Sequence, residues 1–196
     1  MAENKVRGYK IIAIGGSAGS FEVVLKIVAA LPVYTTSVFI LILHRKMAAG
    51  SVLQDLLSLR TTLPVKEVED KEPIQAGTIY IAPPDYHLLV ENDSSFTLDG
   101  SEKVQYSRPS IDVSFESIAE CFGADVLGVL LSGANADGAE GLACVKAAGG
   151  YTIVQDPSTA DVGYMPQQAI DLGVADQVLH ANKLAGEIAK YLKTGV

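Results

Sequence analysis

Short apolar runs alternate with segments of helical period from end to end, and this predicts a doubly wound α/β fold: a mainly parallel sheet, helices on both faces, and one antiparallel hairpin. The runs Lys10 to Ile14, Val38 to Leu43, Thr78 to Ala82, Val126 to Leu131 and Tyr151 to Gln155 are rich in Val, Ile and Leu. They lack the apolar-polar alternation of half-exposed strands, so they read as strands buried on both faces. The segment His87 to Leu98 differs, with strand-like arms about an Asn92-Asp93 turn, and predicts the hairpin.

Taken in chain order, the first strand runs into a glycine-rich turn and then a helix over Phe21 to Leu31. Val24, Leu25, Val28 and Leu31 share one face of that helix, and Pro32 stops it. The unbroken run VFILIL is the second strand, and Ser51 to Leu59 reads as the next helix. Thr78 to Ala82 and the hairpin follow. In the helix Ile111 to Phe122, the residues Phe115, Ile118, Ala119 and Phe122 recur at helical spacing. Ala139 to Ala148 is a helix stopped by Gly149, and Met165 to Leu172 one stopped by Gly173. Gln177 to Leu179 reads as an edge segment, and Asn182 to Tyr191 as the last helix.

The chain has 196 residues, 48% hydrophobic and 19% charged, enough to bury a core. With no internal repeat, low-complexity tract or linker, a single domain is expected over residues 1–196, residues 1–9 forming an N-terminal extension. The formal charge of -8 repels nucleic acid and anionic lipid, so partners are expected to be proteins or small molecules. The first apolar run, Ile11 to Ile14, is too short for a signal peptide or membrane span, which points to the cytoplasm with no membrane insertion. Cys121 and Cys144, flanked by small or apolar residues, are expected to be buried free thiols. No His/Cys/Asp cluster has metal-ligand spacing, so neither metal nor cofactor is expected.

Gly15-Gly16-Ser17-Ala18-Gly19 matches Gly-x-Ser-x-Gly between the first strand and first helix. Glycines permit a sharp turn there, and a helix N-terminus aims free N–H groups at a developing oxyanion, which suits Ser17 as a nucleophile. A plain strand-to-helix turn or a phosphate-binding loop uses the same residue types. A dinucleotide site fits less well: the glycines do not follow Gly-x-Gly-x-x-Gly, and the second strand ends in His44 where that site needs an acid. His44 lies just beyond a strand's carboxyl end, a position where ligand sites are built. His87 and His180 read as surface residues. Asp137 lies in the polar loop Ser132 to Gly138 after another strand; its alternative is an N-cap for the helix starting near Ala139. Three strands thus each bring one of Ser, His and Asp to the same rim, in a chain order unlike the Ser…Asp…His of α/β-hydrolases.

Several segments together resemble the catalytic domain of the bacterial chemotaxis protein-glutamate methylesterase. They are Ile14 to Gly19, the His44 strand end, Ile79-Tyr80-Ile81-Ala82-Pro83, Arg108-Pro109-Ser110-Ile111-Asp112, Gly133 to Gly141, and Met165-Pro166 followed by Ala169-Ile170. The resemblance spans Ile11 to about Leu192. It implies hydrolysis of glutamyl γ-methyl esters, and deamidation of glutamines, on the cytoplasmic helices of methylated chemoreceptors. Ser17 would be nucleophile, His44 general base and Asp137 the carboxylate fixing the base. The resemblance maps an oxyanion-binding backbone amide to Ala134, and nucleophile-turn logic adds Ala18. The chain departs from the family at Ala18, at Ser20, around His44 and at Ala134-Asn135, so substrate contacts are expected to differ. Family members commonly carry a receiver domain; none is expected here, and regulation would come from a separate receiver protein. Two other readings stay open: a non-catalytic receptor or signalling module, and a small-molecule serine esterase or amidase.

Overall fold

The computed structural model describes residues 9–45 and 52–194. In chain order the elements are β1 (Ile11–Gly16), α1 (Phe21–Ala29), β2 (Val38–Leu43), α2 (Val52–Ser58), β3 (Val65–Glu67), β4 (Ile79–Ile81), β5 (His87–Val90), β6 (Phe96–Asp99), α3 (Ile111–Phe122), β7 (Val126–Leu130), α4 (Ala139–Ala147), β8 (Tyr151–Gln155), α5 (Tyr164–Asp171), β9 (Gln177–Leu179) and α6 (Ala181–Thr194). Among the described residues no helix is long and apolar enough to cross a membrane.

The main sheet has the order β3-β4-β2-β1-β7-β8-β9, every pairing parallel. The chain starts at the centre with β1, builds outward through β2 on one side, and later returns to build outward from β7 on the other. The carboxyl ends of β1 and β7 therefore flank the point where the winding reverses, the crevice in which open α/β sheets bind ligands.

Burial on both faces explains the unbroken apolar runs. Alternate residues of each strand join opposite clusters: Ile12, Ile14, Phe39 and Leu41 pack with α1 and α6, whereas Ile11, Ala13, Val38 and Ile40 pack with α3, α4 and α5. Both clusters are closed to water, Ile11, Ile12, Ile40 and Leu41 having no exposed surface at all. The hairpin β5-β6 is antiparallel, as its turn residues require, and packs its Leu88, Val90 and Phe96 on the α3 side.

Several sequence expectations need correction. The strand β3 has no counterpart in them, because Val65-Lys66-Glu67 is too short and polar to register; it pairs only with β4 at the sheet edge. The buried face of α1 is Val23, Val24, Ile27 and Val28, not the set ending at Leu31. That helix closes earlier, where the Ala30 amide donates to the Ile27 carbonyl at 3.0 Å and the Leu31 amide to the Val28 carbonyl at 3.3 Å. His87 is buried, not superficial: its Nδ1 accepts the Ser110 amide at 3.1 Å and its Nε2 meets the Glu102 carbonyl at 2.9 Å. His180 is exposed, as read. Cys121 and Cys144 are thiols in no disulfide and are only half-buried. Residues 1–8 of the expected N-terminal extension, and Ser51 at the start of the second helix, lie outside the described residues.

Candidate active site

The first member of the site follows directly from β1, which continues through Gly15 and Gly16 before the chain turns at Ser17. A Cβ on Gly16 would come within 2.7 Å of the Ser20 side chain, so the turn needs glycine for lack of room. The Ser17 backbone is pinned on both sides: its N–H donates to the Ser132 carbonyl at 2.9 Å, and its carbonyl accepts from the Ser20 hydroxyl at 2.7 Å. Ser20 caps α1 without a side-chain bond to the helix, because its hydroxyl is used on Ser17. The half-buried Ser17 side chain itself makes no hydrogen bond among the described residues.

His44 stands beyond β2, whose register with β1 sets Leu43 beside Gly16; the His44 amide donates to the Gly16 carbonyl at 3.0 Å. Adjacent parallel strands thus hold Ser17 and His44 at one rim. Asp137 arrives from the loop after β7, the other neighbour of β1, and is fully buried. Its Oδ2 lies 2.7 Å from His44 Nε2.

Asp137 is a cap, but not of the helix that follows it. Gly138 is the N-cap of α4 and supplies no side-chain bond. Asp137 instead caps α3: Oδ2 accepts the Ile111 amide at 2.7 Å, and Oδ1 accepts the Asp112 amide at 3.0 Å and the Ser110 hydroxyl at 2.8 Å. Burial pushes the Asp137 carboxyl up, yet the bonds from His44, the Asp112 and Ile111 amides and Ser110 outweigh it and hold the group below the ordinary carboxylate range. An ionised Asp137 can only accept, so His44 Nε2 carries the proton and Nδ1 is the free basic nitrogen. This uses the ring in the opposite sense to serine-protease triads, where the carboxylate holds Nδ1.

The nitrogen left free is not empty of partners. Ser107 Oγ lies 3.3 Å from His44 Nδ1, and no hydrogen bond joins Ser17 to His44 among the described residues. Asn135 holds Ser107 there, its Nδ2 donating to Ser107 Oγ and to the Gln105 carbonyl, each at 3.1 Å. Asn135, one of the departures noted in the sequence, therefore ties the segment 105–107 beside His44. Ser107 carried no sequence signal for this site and Ser110 entered only within the segment Arg108 to Asp112, with no role of its own, because both act through bonds to residues at least 27 positions away.

Ser132 braces the rest. Its hydroxyl donates to the Ala18 carbonyl at 2.7 Å and its amide is held by Gln155 at 3.0 Å. Ala18 and Ala134 are exposed, and their amides have no hydrogen-bond acceptor among the described residues, so both remain available at the rim. A cleft of about 330 Å³ opens beside His44, lined by Arg45, Asp85, Lys103, Tyr106, Ser107 and Arg108. A larger one of about 640 Å³ lies at the opposite rim, near Tyr34 and Lys193, and its lining offers no acid-base pair.

The site can therefore present a hydroxyl, an imidazole oriented by a carboxylate, and free amides at one switch point. Known proteins resemble the chain over most of its length. A family model described as CheB methylesterase matches residues 12–188. A protein of Leptospira interrogans named putative protein-glutamate methylesterase/protein-glutamine glutaminase is 40% identical over 177 residues, 90% of this chain and 92% of that one. A protein-glutamate methylesterase/protein-glutamine glutaminase of Hydrogenovibrio crunogenus is 36% identical over 94% of this chain, which spans 50% of that longer protein. The crystal structure of the Thermotoga maritima CheB methylesterase catalytic domain superposes with a TM-score of 0.87 at 34% identity, covering 92% of this chain and 97% of that one. The chain belongs to the CheB methylesterase family.

Proposed function

We propose that the protein is a protein-glutamate methylesterase, hydrolysing glutamyl γ-methyl esters on chemoreceptors and deamidating glutamines by the same acyl chemistry. The observation that carries the reading is the 2.7 Å contact of His44 with the ionised Asp137, one strand away from the turn that presents Ser17.

In this reading Ser17 Oγ attacks the ester carbonyl while its proton passes to His44 Nδ1. The imidazolium formed is stabilised by Asp137, and the amides of Ala18 and Ala134 hold the oxyanion. Collapse expels methoxide, which takes the proton from His44 and leaves as methanol. Water then attacks the acyl-serine, again losing a proton to His44, and the glutamate carboxylate is released with Ser17 restored. For a glutamine the leaving group is ammonia. Before the first step His44 Nδ1 must pass from Ser107 to Ser17. The substrate partner is the cytoplasmic helical segment of a methylated chemoreceptor, and control would come from a separate receiver protein.

Methanol release from methylated receptor membranes tests the reading: the wild-type protein releases it and Ser17→Ala does not. Equal release by both proteins would sink the assignment. The unbonded Ser17 hydroxyl favours a second reading, a non-catalytic binding module, which predicts no covalent labelling of Ser17 by a fluorophosphonate probe. Turnover of a simple acyl ester with no action on methylated receptor would instead identify a small-molecule esterase.

A further inference from the structure

Two helix N-termini meet behind the base. The α3 terminus delivers its Ile111 and Asp112 amides to Asp137, as described above. In return, Asp112 Oδ1 accepts the Gly138 amide at 2.8 Å and the Gly141 amide at 2.7 Å from the α4 terminus. The helix α3 and the loop that leads into α4 thus each lend a carboxylate to the other's unpaired N–H groups. The Gly138 amide belongs to the same peptide unit as the Asp137 carbonyl, so Asp112 grips the main chain that carries Asp137.

Packing leaves this exchange little freedom. Gly138 has φ +98, a left-handed conformation that favours glycine, and a Cβ there would lie 2.5 Å from Leu130 and 2.9 Å from Ile111. A Cβ on Gly141 would lie 2.8 Å from the Asp112 backbone, so α3 and α4 touch directly at this point. Asp137 is therefore fixed twice, its carboxylate by α3 and its peptide by Asp112.

We propose that Asp112 is the positioning residue of the His44–Asp137 pair: its grip on the Gly138 and Gly141 amides sets the direction in which Asp137 Oδ2 meets His44 Nε2, and hence which imidazole nitrogen is free to act as base. This rests on the reading of Asp137 as the group that orients the base. Asp112 touches neither substrate nor the reacting atoms. Its effect is on alignment, where a misplacement of about 1 Å can cost on the order of 10^2-fold in rate.

A single Oδ1 accepts both amides, so Asp112→Asn keeps the grip and Asp112→Ala loses it. The experiment compares these variants with wild type by the rate of fluorophosphonate labelling of Ser17, by kcat and KM on a methyl ester, and by ¹⁵N NMR of the His44 ring. Asp112→Ala is expected to slow labelling and kcat on the order of 10^2-fold with KM unchanged, and to lose the Nε2–H tautomer. Asp112→Asn is expected to stay within about threefold of wild type and to keep that tautomer. A plain helix cap would change stability without moving the tautomer. A folded Asp112→Ala protein with the wild-type tautomer and labelling rate overturns the proposal, and so does a folded Asp112→Asn protein that loses both. If the alanine variant does not fold, Asp112→Ser, too short to hold both amides, takes its place under the same criteria. If the wild-type protein itself is not labelled, the hydrolase reading fails, while the tautomer measurement still decides the role of Asp112.

Discussion

His44 and Asp137, 93 residues apart in the chain, meet through Nε2 and Oδ2 at 2.7 Å, and the same Asp137 oxygen accepts the first amide of α3. One carboxylate therefore caps a helix and orients an imidazole, so disturbing either role disturbs both.

Asp137→Asn disturbs both roles, because each carboxylate oxygen accepts an amide of α3. Oδ2 serves the Ile111 amide and His44 Nε2, and Oδ1 serves the Asp112 amide and the Ser110 hydroxyl, so the single Asn oxygen satisfies one side and the NH2 faces donors on the other. With the NH2 at the Oδ2 position His44 Nε2 must accept and its proton moves to Nδ1; with the oxygen there the tautomer stays but the charge that stabilises the imidazolium is gone. By analogy with the corresponding change in serine proteases, kcat is expected to fall by about 10^4. Asp137→Ala also strands the α3 amides and Ser110, and should cost about 3 kcal/mol in urea unfolding.

Ser17→Ala should abolish esterase turnover, by at least about 10^3-fold, with little effect on stability. The hydroxyl makes no hydrogen bond among the described residues, and the backbone bonds that hold the turn survive the change. Matching thermal unfolding curves with lost methanol release is the expected pair of results.

Ser107→Ala removes the group that occupies His44 Nδ1. A neutral hydrogen bond is worth about 1 kcal/mol net, so its removal should speed acylation about fivefold. The rate of Ser17 labelling under single-turnover conditions measures this, and slower labelling would show that Ser107 supports the base instead of competing for it.

The pH dependence of stability has two opposed contributions. Burial pushes Asp112 up to about 6, and the neighbouring Asp137 charge adds to the effect against the Gly141 and Gly138 amides. Glu116, Glu140 and the Cys144 thiol, itself raised by burial and these acids, share the neighbourhood. An acid raised in the folded state stabilises below its unfolded value of about 3.9 and loses that contribution as pH rises to about 6. Asp137, lowered, acts in the other direction: its contribution is present above about 3.9 and is lost as pH falls through its folded value. Asp112→Asn should therefore match wild type near pH 4 and exceed it by about 1 kcal/mol at pH 7.5, after discounting for partial exposure. Urea unfolding at the two pH values checks the sign.

Gly138→Ala should be strongly destabilising, by about 2–3 kcal/mol, because it combines a left-handed backbone with contacts inside van der Waals range. Activity is expected to fall with it, since the same residue aims the peptide after Asp137. Urea unfolding and Ser17 labelling read the two effects separately.

The sequence by itself determined the sheet and the rim. Runs such as Val38-Phe39-Ile40-Leu41-Ile42-Leu43 are uniformly apolar only because both faces of a central parallel strand are buried, so burial can be read locally. Ser17, His44 and Asp137 each follow such a run, which places them at carboxyl ends without any knowledge of strand order. What only the tertiary structure decided is how these groups address one another. That Asp137 caps α3 and not α4, that it engages Nε2, that Ser107 occupies Nδ1 and that His87 is buried all depend on bonds between residues 15 to 93 positions apart. Local pattern records which side of an element meets the core, whereas the donor a buried carboxylate finds is fixed by how α3 and α4 pack together at Gly141.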